Sequence, residues 1–562
     1  MKPAPLNGLL ISDFTIDVLT SYLQNSPEPP LCTVKTAPFG TPLQTLVDDA
    51  NPLWKKNHDF LVIWCQAWGL LPSFAKLINF QSIDPKHIKA ELHHFIRILK
   101  KKAAHYRYVL VPSFVLPPYY RGLGPIDYKK DGIHYWLLEI NYTLMEELSS
   151  LPNVFLLDSN RWINAAGPQA VNPKLWYMSK IPYDYTVFKA AAYDIKSTLL
   201  SLGGTTKKII FLDLDNILWG GEIGETGLEN LKLGGHDAIG ESFRDFQRQL
   251  KNLKNRGILL AVISKNEETT ALEAIQKHPE MVLKQNDFVG WRINWQDKAK
   301  NITELLAELN LPPSSAVFID DNPGERDRVK KAFPEILVPD WPGQSFLYSK
   351  ALLSLSCFDT SHFEKEDKQR TSMYLGEKKR QGLKSHAVSL PDWLKSLHVT
   401  VTIEKLNTVN LPRAAQLLNK TNQMNLTTRR LSETELSDFS RDKNHNVWTI
   451  RVRDDIDDSG LTGLISIKKQ KNQIQIIDFV LSCRVFGRMI ENAMVAKAIQ
   501  FAKGHSGMMT AEYLPTPKNK PCLDFWKHSG FKMKKDSHTF SWDLKKAYHY
   551  PDTLIIKDRS TQ

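Results

Sequence analysis

Short apolar runs that end in a polar tip recur along the whole chain, with apolar positions at helical spacing between them. Residues 9–14 (LLISDF), 60–64 (FLVIW), 109–112 (VLVP) and 154–158 (VFLLD) are four such runs, spaced like strands of an open parallel sheet with intervening helices. A second set follows at 208–212 (KIIFL), 259–263 (LLAVI) and 316–319 (AVFI). Between its members Phe243, Phe246, Leu250 and Leu253 fall on one helix face, and after them Ile302, Leu305, Leu306 and Leu309 on another. Strand, polar tip and helix in alternation predict parallel sheets with their sites at the carboxyl ends of the strands. Beyond residue 397 the pattern changes. Residues 399–404 alternate as a strand, 414–418 read as a helix, 474–481 form a β-rich run, and Ile490, Ala493, Met494, Ala498 and Ile499 mark one more helix. The expected class is α/β in three domains, residues 1–200, 201–345 and 398–546, with an exposed helical connector over 346–397 and a frayed tail over 547–562. A length of 562 residues suits three cores of ordinary size.

The polar tips carry the chemistry. In FLDLDNILWGG (residues 211–221) strand alternation turns Asp213 and Asp215 to the same side, and the glycines beyond them end the strand in a tight turn. One carboxylate of such a pair can attack phosphorus while the other moves a proton, although Asp-x-Asp also occurs in solvated turns and calcium loops. Ser264-Lys265-Asn266 places a hydroxyl at the tip of the next strand. Lys298 stands just before a helix, where its charge opposes the dipole and is better placed to meet an anion. Asp320-Asp321-Asn322-Pro323 ends a third strand in another carboxylate pair.

These four segments, in this order and spacing, resemble the haloacid dehalogenase (HAD) superfamily of phosphotransferases. The resemblance implies a Rossmann-like domain in which Asp213 is the nucleophile that forms an aspartyl-phosphate and Asp215 the general acid and base. It also implies Ser264, Lys298 and Asn266 on the phosphoryl oxygens, and Mg²⁺ held by Asp213, Asp320, Asp321 and the backbone carbonyl of Asp215. Hard oxygen ligands suit Mg²⁺, and phosphoryl transfer is helped mainly by positioning and charge neutralisation. About 50 residues separate Asp213 from Ser264, too few for an inserted cap domain. Residues 219–224 (WGGEIG) are then either a flap or a plain turn.

DLDNILWGGEIGETGLENL, SKNE, FIDDNPGER, LLNKTNQMNLTTRR (residues 417–430) and LSCRVFGR (residues 481–488) together resemble the FkbH-like family over residues 8–545. The resemblance implies a glyceryl transferase/phosphatase that takes 1,3-bisphosphoglycerate, removes its phosphates and loads glyceryl as a thioester onto an acyl carrier protein for polyketide or related biosynthesis. Strand, Arg-x-x-Gly loop, helix and the late FWKHSGF (residues 525–531) resemble the α+β Gcn5-related N-acetyltransferase (GNAT) fold, whose loop amides and helix N-terminus hold a pyrophosphate. Met489 stands where that loop usually has Gly or Ala, so a carrier's phosphopantetheine arm is expected rather than coenzyme A. Arg484, Gly487 and Arg488, with Asn422, Gln423, Asn425, Thr427 and Arg429, form the expected acyl and pantetheine site. Cys483, placed at the helix N-terminus beside Arg484 and Arg488, is expected to carry the glyceryl group, because cationic neighbours favour the thiolate that attacks an acyl phosphate. A small buried residue at a strand end is the plainer reading of Cys483, and a solvated loop that of residues 419–430.

The first domain resembles a flavodoxin-like sheet of the serine-glycine-asparagine-histidine (SGNH) hydrolase type. Phe14 occupies the nucleophile's place after Asp13, and no histidine lies near Asp158, so a non-hydrolytic scaffold or docking surface is expected. Cys32, Cys65, Cys357, Cys483 and Cys522 show neither zinc spacing nor a disulfide framework. Residues 60–71, the longest apolar stretch, are broken by Gln66 and too short for a membrane span; with no signal-peptide pattern in residues 1–16, a cytoplasmic protein is expected. The net charge of +12 is dispersed, and clusters such as 100–102, 378–380 and 468–471 lack interleaved aromatics, so nucleic acid is not an expected partner. An acidic carrier protein or a bisphosphorylated acid would be steered by the same surface. A stand-alone HAD phosphatase and a coenzyme A-dependent acetyltransferase are the alternative functions.

Overall fold

The computed structural model describes residues 5–55, 58–117, 119–360, 370–385, 389–470, 473–503, 507–534 and 537–560. The chain divides into two compact units, Met1–Leu200 with Ser432–Thr434, and Ser201–Leu431 with Glu435–Gln562. Among the described residues no helix is long and apolar enough to cross a membrane.

In the first unit β1 (Leu6–Ile11), β2 (Cys32–Thr36), β3 (Phe60–Ile63), β4 (Tyr108–Pro112) and β5 (Val154–Leu157) form one parallel sheet in the order β2-β1-β3-β4-β5. That is the flavodoxin-like order of doubly wound sheets. Edge strand β2 went unanticipated because only Cys32 and Val34 of its five residues face the core. Gly8 lies flat on the Phe60 ring, where a Cβ would come within 2.2 Å. At the carboxyl end of β1 the buried Phe14 ring meets Trp64 and Tyr183 edge-on, 5.4 and 6.0 Å between centroids. Asp13 accepts a hydrogen bond from the Gln66 N–H at 3.0 Å, and burial pushes its carboxyl up to about 6.

The second unit opens with β6 (Ile209–Leu212), β7 (Leu259–Ser264), β8 (Phe288–Ile293) and β9 (Ala316–Ile319), all parallel in the order β8-β7-β6-β9. Both faces are covered. Ile210, Leu212 and Val262 pack with Phe243, Phe246 and Leu250 of the helix Ala238–Asn255. Ile209, Phe211 and Ala261 pack with Ile302, Leu305 and Leu306 of the helix Lys298–Glu308. Burial on two faces is why these strands read as unbroken apolar runs. Between β6 and β7 lie a short helix Ile223–Thr226, a turn Leu228–Asn230 and the helix Ala238–Asn255, with no inserted cap domain.

A nine-stranded mixed sheet completes the unit. It comprises β10 (Thr400–Lys405), β11 (Met424–Asn425), β12 (His445–Arg453), β13 (Asp458–Lys469), β14 (Gln473–Leu481), β15 (Met508–Glu512), β16 (Lys532–Met533), β17 (Thr539–Asp543) and β18 (Ile555–Asp558). Its order is β16-β17-β15-β14-β13-β12-β10-β18, with β11 on the end of β14. The expected frayed tail is instead an edge strand. Thr400 to Ile403 of β10 pair in parallel with Ile555 to Asp558, and Lys497 anchors the end through Asp558 and Ser560 at 2.6 Å each. An unpaired β10 edge is satisfied in this way.

The expected exposed connector is also corrected, as far as its residues are described; residues 361–369 and 386–388 fall outside them. Its helix Arg370–Ser385 buries Tyr374 in the core under the four-stranded sheet, and the following helix Leu390–Ser396 buries Trp393 in the core of the nine-stranded one. A charged sequence hid a few deeply placed anchors. Arg380 is one: it grips Asp454 through Nε and Nη2 at 2.6 and 2.7 Å, and Arg488 approaches the same carboxylate at 3.2 Å.

Burial works against the Asp454 charge, yet the Arg380 and Arg488 guanidiniums hold its carboxyl below the ordinary value of 3.8. A folded value below the unfolded one means that the stabilisation is fully present above pH 3.8 and is lost as pH falls through the folded value. Asp454→Ala is expected to cost about 3–5 kcal/mol in urea unfolding at neutral pH, because two buried guanidiniums lose their counter-charge. A loss below about 1 kcal/mol, the worth of an exposed pair, would show that Asp454 carries little of this load.

Candidate active site

Asp213 directly follows β6, its N–H donating to the Ile319 carbonyl of β9 at 3.1 Å and its Oδ1 accepting from the Leu214 N–H at 2.8 Å. Lys298 begins the helix Lys298–Glu308 and is 3% exposed; its Nζ lies 2.6 Å from both Asp213 Oδ2 and Asp320 Oδ2. Burial works against the ammonium, but the two carboxylates outweigh it and hold Lys298 above the usual lysine value. Burial and then the Asp213 charge push Asp320 up to about 6, and raise Asp321 for the same two reasons. One oxygen from each of Asp213, Asp320 and Asp321 lies within 4.8 Å of the others. Like charges crowded so closely raise one another's proton affinity. A divalent cation would relieve that repulsion, and an all-oxygen donor set fits Mg²⁺. Arg326 fixes the turn from behind, donating to the Asp320 and Asp321 carbonyls at 2.7 and 2.8 Å.

Asp215 is turned to different partners. Its Oδ1 accepts from Trp219 Nε1 at 2.8 Å and the Ile223 N–H at 3.2 Å, and its Oδ2 from Asn266 Nδ2 at 2.7 Å. Its side chain is outside the carboxylate cluster. Burial raises its carboxyl against those hydrogen bonds, with Asp213 adding to the rise, which suits a group that must give up a proton. Asn266, expected on the phosphate, is here the amide that orients Asp215. Ser264 is buried at the end of β7. Trp219 and Ile223 were expected only as part of a flap or turn, and Arg326 had no expected site role, although Trp219 stands four residues from Asp215 and its indole needs an acceptor once buried. Lys298→Met is expected to lower kcat for phosphate esters by about 10²–10³, the usual cost of removing one charge-stabilising donor. Loss of thermal stability without loss of kcat per folded molecule would assign Lys298 a packing role only.

The second group of expected site residues lies elsewhere. Cys483 opens the 3-10 turn Cys483–Val485 after β14, and the next helix, Ile490–Ala502, starts seven residues later; the thiol is therefore not at a helix N-terminus. Cys483 is half-buried beside a cleft of about 80 Å³ lined by Lys208, Arg370, Arg413, Lys420 and Arg484, with no carboxylate among the described lining residues. Asn422 and Gln423 line it too, and Arg430 holds Asn422 through its amide oxygen. Lys208 precedes β6 whereas Asp213 follows it. Five steps of extended chain at roughly 3.3 Å each set Lys208 and Asp213 about 16 Å apart, so the two sites lie at opposite ends of one strand.

Five expected ligand-binding residues are corrected. Gly487 donates its N–H to Glu491 Oε1 at 3.2 Å, so the amide proposed for a pyrophosphate already faces a buried carboxylate. Arg488 is buried on Asp454. Arg429 forms a two-pronged pair with the buried Asp478 at 3.1 and 2.5 Å. Asn425 and Thr427 lie in a segment that fills the gap where β14 and β15 part beyond Ile476 and Ala511. There the Leu426 N–H donates to the Phe479 carbonyl, the Leu514 N–H donates to the Leu426 carbonyl, and Thr427 Oγ1 donates to Ile477. Backbone groups of diverging strands need partners, and this chain supplies them itself.

Neither a protein-family model nor a curated protein matches the chain. Among solved structures, the N-terminal part of a Bacteroides fragilis protein, described as containing a phosphatase domain complexed with Mg, is 27% identical with a TM-score of 0.57, over 64% of this chain and 95% of that one. The chain is an enzyme. Its phosphatase-type fold brings Asp213, Lys298, Asp320 and Asp321, from three separate sequence segments, to one carboxylate cluster. Two Escherichia coli proteins match over shorter stretches. The ribosomal-protein-S18-alanine N-acetyltransferase is 10% identical over 26% of this chain and 96% of that one, with a TM-score of 0.20. A GNAT-family N-acetyltransferase in complex with CoA is 11% identical over 29% and 90%, with a TM-score of 0.20.

Proposed function

We propose that the chain is an FkbH-like bifunctional enzyme that dephosphorylates 1,3-bisphosphoglycerate and loads the glyceryl group as a thioester onto an acyl carrier protein in the cytoplasm. At the first site an Asp213 carboxylate oxygen attacks the phosphorus of the phosphate ester. The ester O–P bond breaks, the leaving alkoxide takes the Asp215 proton, and water then cleaves the aspartyl-phosphate as Asp215 recovers a proton. Lys298 holds Asp213 in place and offsets charge throughout. Mg²⁺ bound by Asp213, Asp320 and Asp321 would neutralise charge on the phosphoryl oxygens. At the second site the Cys483 thiolate attacks the acyl carbon; the C–S bond forms as the C–O bond to phosphate breaks, and phosphate leaves with the bonding pair. The carrier's pantetheine thiolate repeats the attack and returns Cys483.

The observation that carries this reading is the cation-lined cleft around Cys483, about 80 Å³ in volume, which suits a phosphorylated acyl donor and which phosphate-ester hydrolysis alone does not require. The first unit then serves as a flavodoxin/SGNH-like scaffold and the nine-stranded sheet as a GNAT-like domain adapted to the carrier arm. The occupied Gly487 amide favours the arm, which carries one phosphate where coenzyme A carries a pyrophosphate. Carrier loading tests it. The enzyme with Mg²⁺, freshly generated 1,3-bisphosphoglycerate and phosphopantetheinylated carrier protein should yield carrier heavier by one glyceryl group. Carrier of unchanged mass, while simple phosphate esters are hydrolysed, would leave a stand-alone phosphatase.

A further inference from the structure

Tyr374 sits on the helix Arg370–Ser385 that joins the phosphatase and acyl-transfer modules, with its ring packed into the core under the four-stranded sheet and 6% exposed. Its hydroxyl lies 3.6 Å from the Cys483 sulfur, within hydrogen-bond range for sulfur. A buried phenol needs a partner, and a thiol is a weak acceptor compared with the charged form of the same sulfur. The other charged groups at the cleft come from every element around it. Lys208 precedes β6, Arg370 lies one turn earlier on Tyr374's own helix, Arg413 and Lys420 belong to the helix Leu411–Lys420, and Arg484 adjoins Cys483. Burial, then the Cys483 charge, push the Tyr374 phenol up, so it keeps its proton and remains a donor at neutral pH.

We propose that Tyr374 is a positioning residue for acyl transfer, its hydroxyl donating to the Cys483 sulfur so that the thiolate is stabilised and held facing the cleft. The inference rests on the acyl-transfer reading of Cys483. Tyr374 gives up no proton at any step: the thiol proton passes to solvent before attack, and the hydroxyl follows the sulfur from thiolate to thioester. The active cleft is thereby composite. The phosphatase module lends Lys208, the joining helix Arg370 and Tyr374, and the acyl-transfer module Cys483 and Arg484.

The test is the pH profile of Cys483 alkylation by iodoacetamide in the full chain, read by peptide mass spectrometry so that the other four cysteines do not interfere. Tyr374→Phe removes one oxygen and keeps the ring. It is expected to slow alkylation at neutral pH by about tenfold or more, the usual worth of a hydrogen bond to a charged group, with the profile displaced to higher pH. Phosphate-ester hydrolysis at the far end of β6 should stay within about twofold. A wild-type alkylation profile in a variant that still hydrolyses phosphate esters would overturn the proposal. If that variant does not fold, 3-fluorotyrosine inserted at position 374, a stronger donor of the same shape, must shift the profile to lower pH; an unshifted profile counts against the proposal equally. Alkylation does not depend on acyl transfer. A displaced alkylation profile in Tyr374→Phe, with wild-type enzyme that never acquires an acyl group, would fail the functional reading and leave the pairing intact.

Discussion

Asp213→Asn is expected to lower phosphate-ester hydrolysis by about four orders of magnitude or more, because the amide cannot attack phosphorus. Asparagine keeps the volume and the acceptor for the Leu214 N–H, so the turn after β6 should survive. It also removes a charge that helps to raise Asp320 and Asp321. The variant should therefore fold normally and show no acid-stable phosphorylated peptide after quenching. A loss of less than tenfold would exclude Asp213 as the nucleophile.

Cys483→Ala is expected to produce the second large effect, and a separate one. Acyl-enzyme formation and carrier loading should fall below detection, at least 10³-fold on the scale of other nucleophile deletions. Hydrolysis of simple phosphate esters should stay within about twofold, since the two sites are separated by the length of β6 and share no partner. The side chain is half-buried at the edge of a packed core, so its loss leaves only a small defect there. Loss of both activities together would mean that the thiol supports the fold rather than the chemistry.

The phosphatase half was legible because its chemistry is written at strand tips. Asp213, Ser264 and Asp320 each follow a run of consecutive apolar residues, and a parallel sheet buried on both faces can place such tips only along one edge. Lys298 could be picked out because a lysine at a helix start is electrostatically misplaced unless something anionic faces it, and two carboxylates do. What pattern alone could not supply was second partners. Asn266 looks like a phosphate donor in sequence, and its amide gives one N–H to Asp215, a partner that nothing in the spacing reveals.

The carboxyl-terminal half was less legible for a related reason. Asn425, Thr427, Arg429 and Arg488 form a polar constellation that resembles a ligand site, yet each satisfies this chain's own backbone or a buried aspartate. Buried polar groups must be paired whether or not a ligand exists, so density of hydrogen-bonding residues alone does not mark a pocket. The helix Arg370–Ser385 misled in the opposite direction. Its composition is that of a solvated face, and its structural weight rests on Tyr374 and Arg380, which no periodicity singles out.

That one chain holds two chemically distinct sites is open to test by intact-protein mass spectrometry. Wild-type enzyme, Asp213→Asn and Cys483→Ala would each be mixed with Mg²⁺ and freshly generated 1,3-bisphosphoglycerate. A glyceryl-sized, thiol-sensitive adduct is expected on the wild type, an adduct that retains phosphate on Asp213→Asn, and none on Cys483→Ala. An adduct of wild-type mass on Cys483→Ala, or no adduct on any form while phosphate esters are still hydrolysed, would contradict the presence of two such sites.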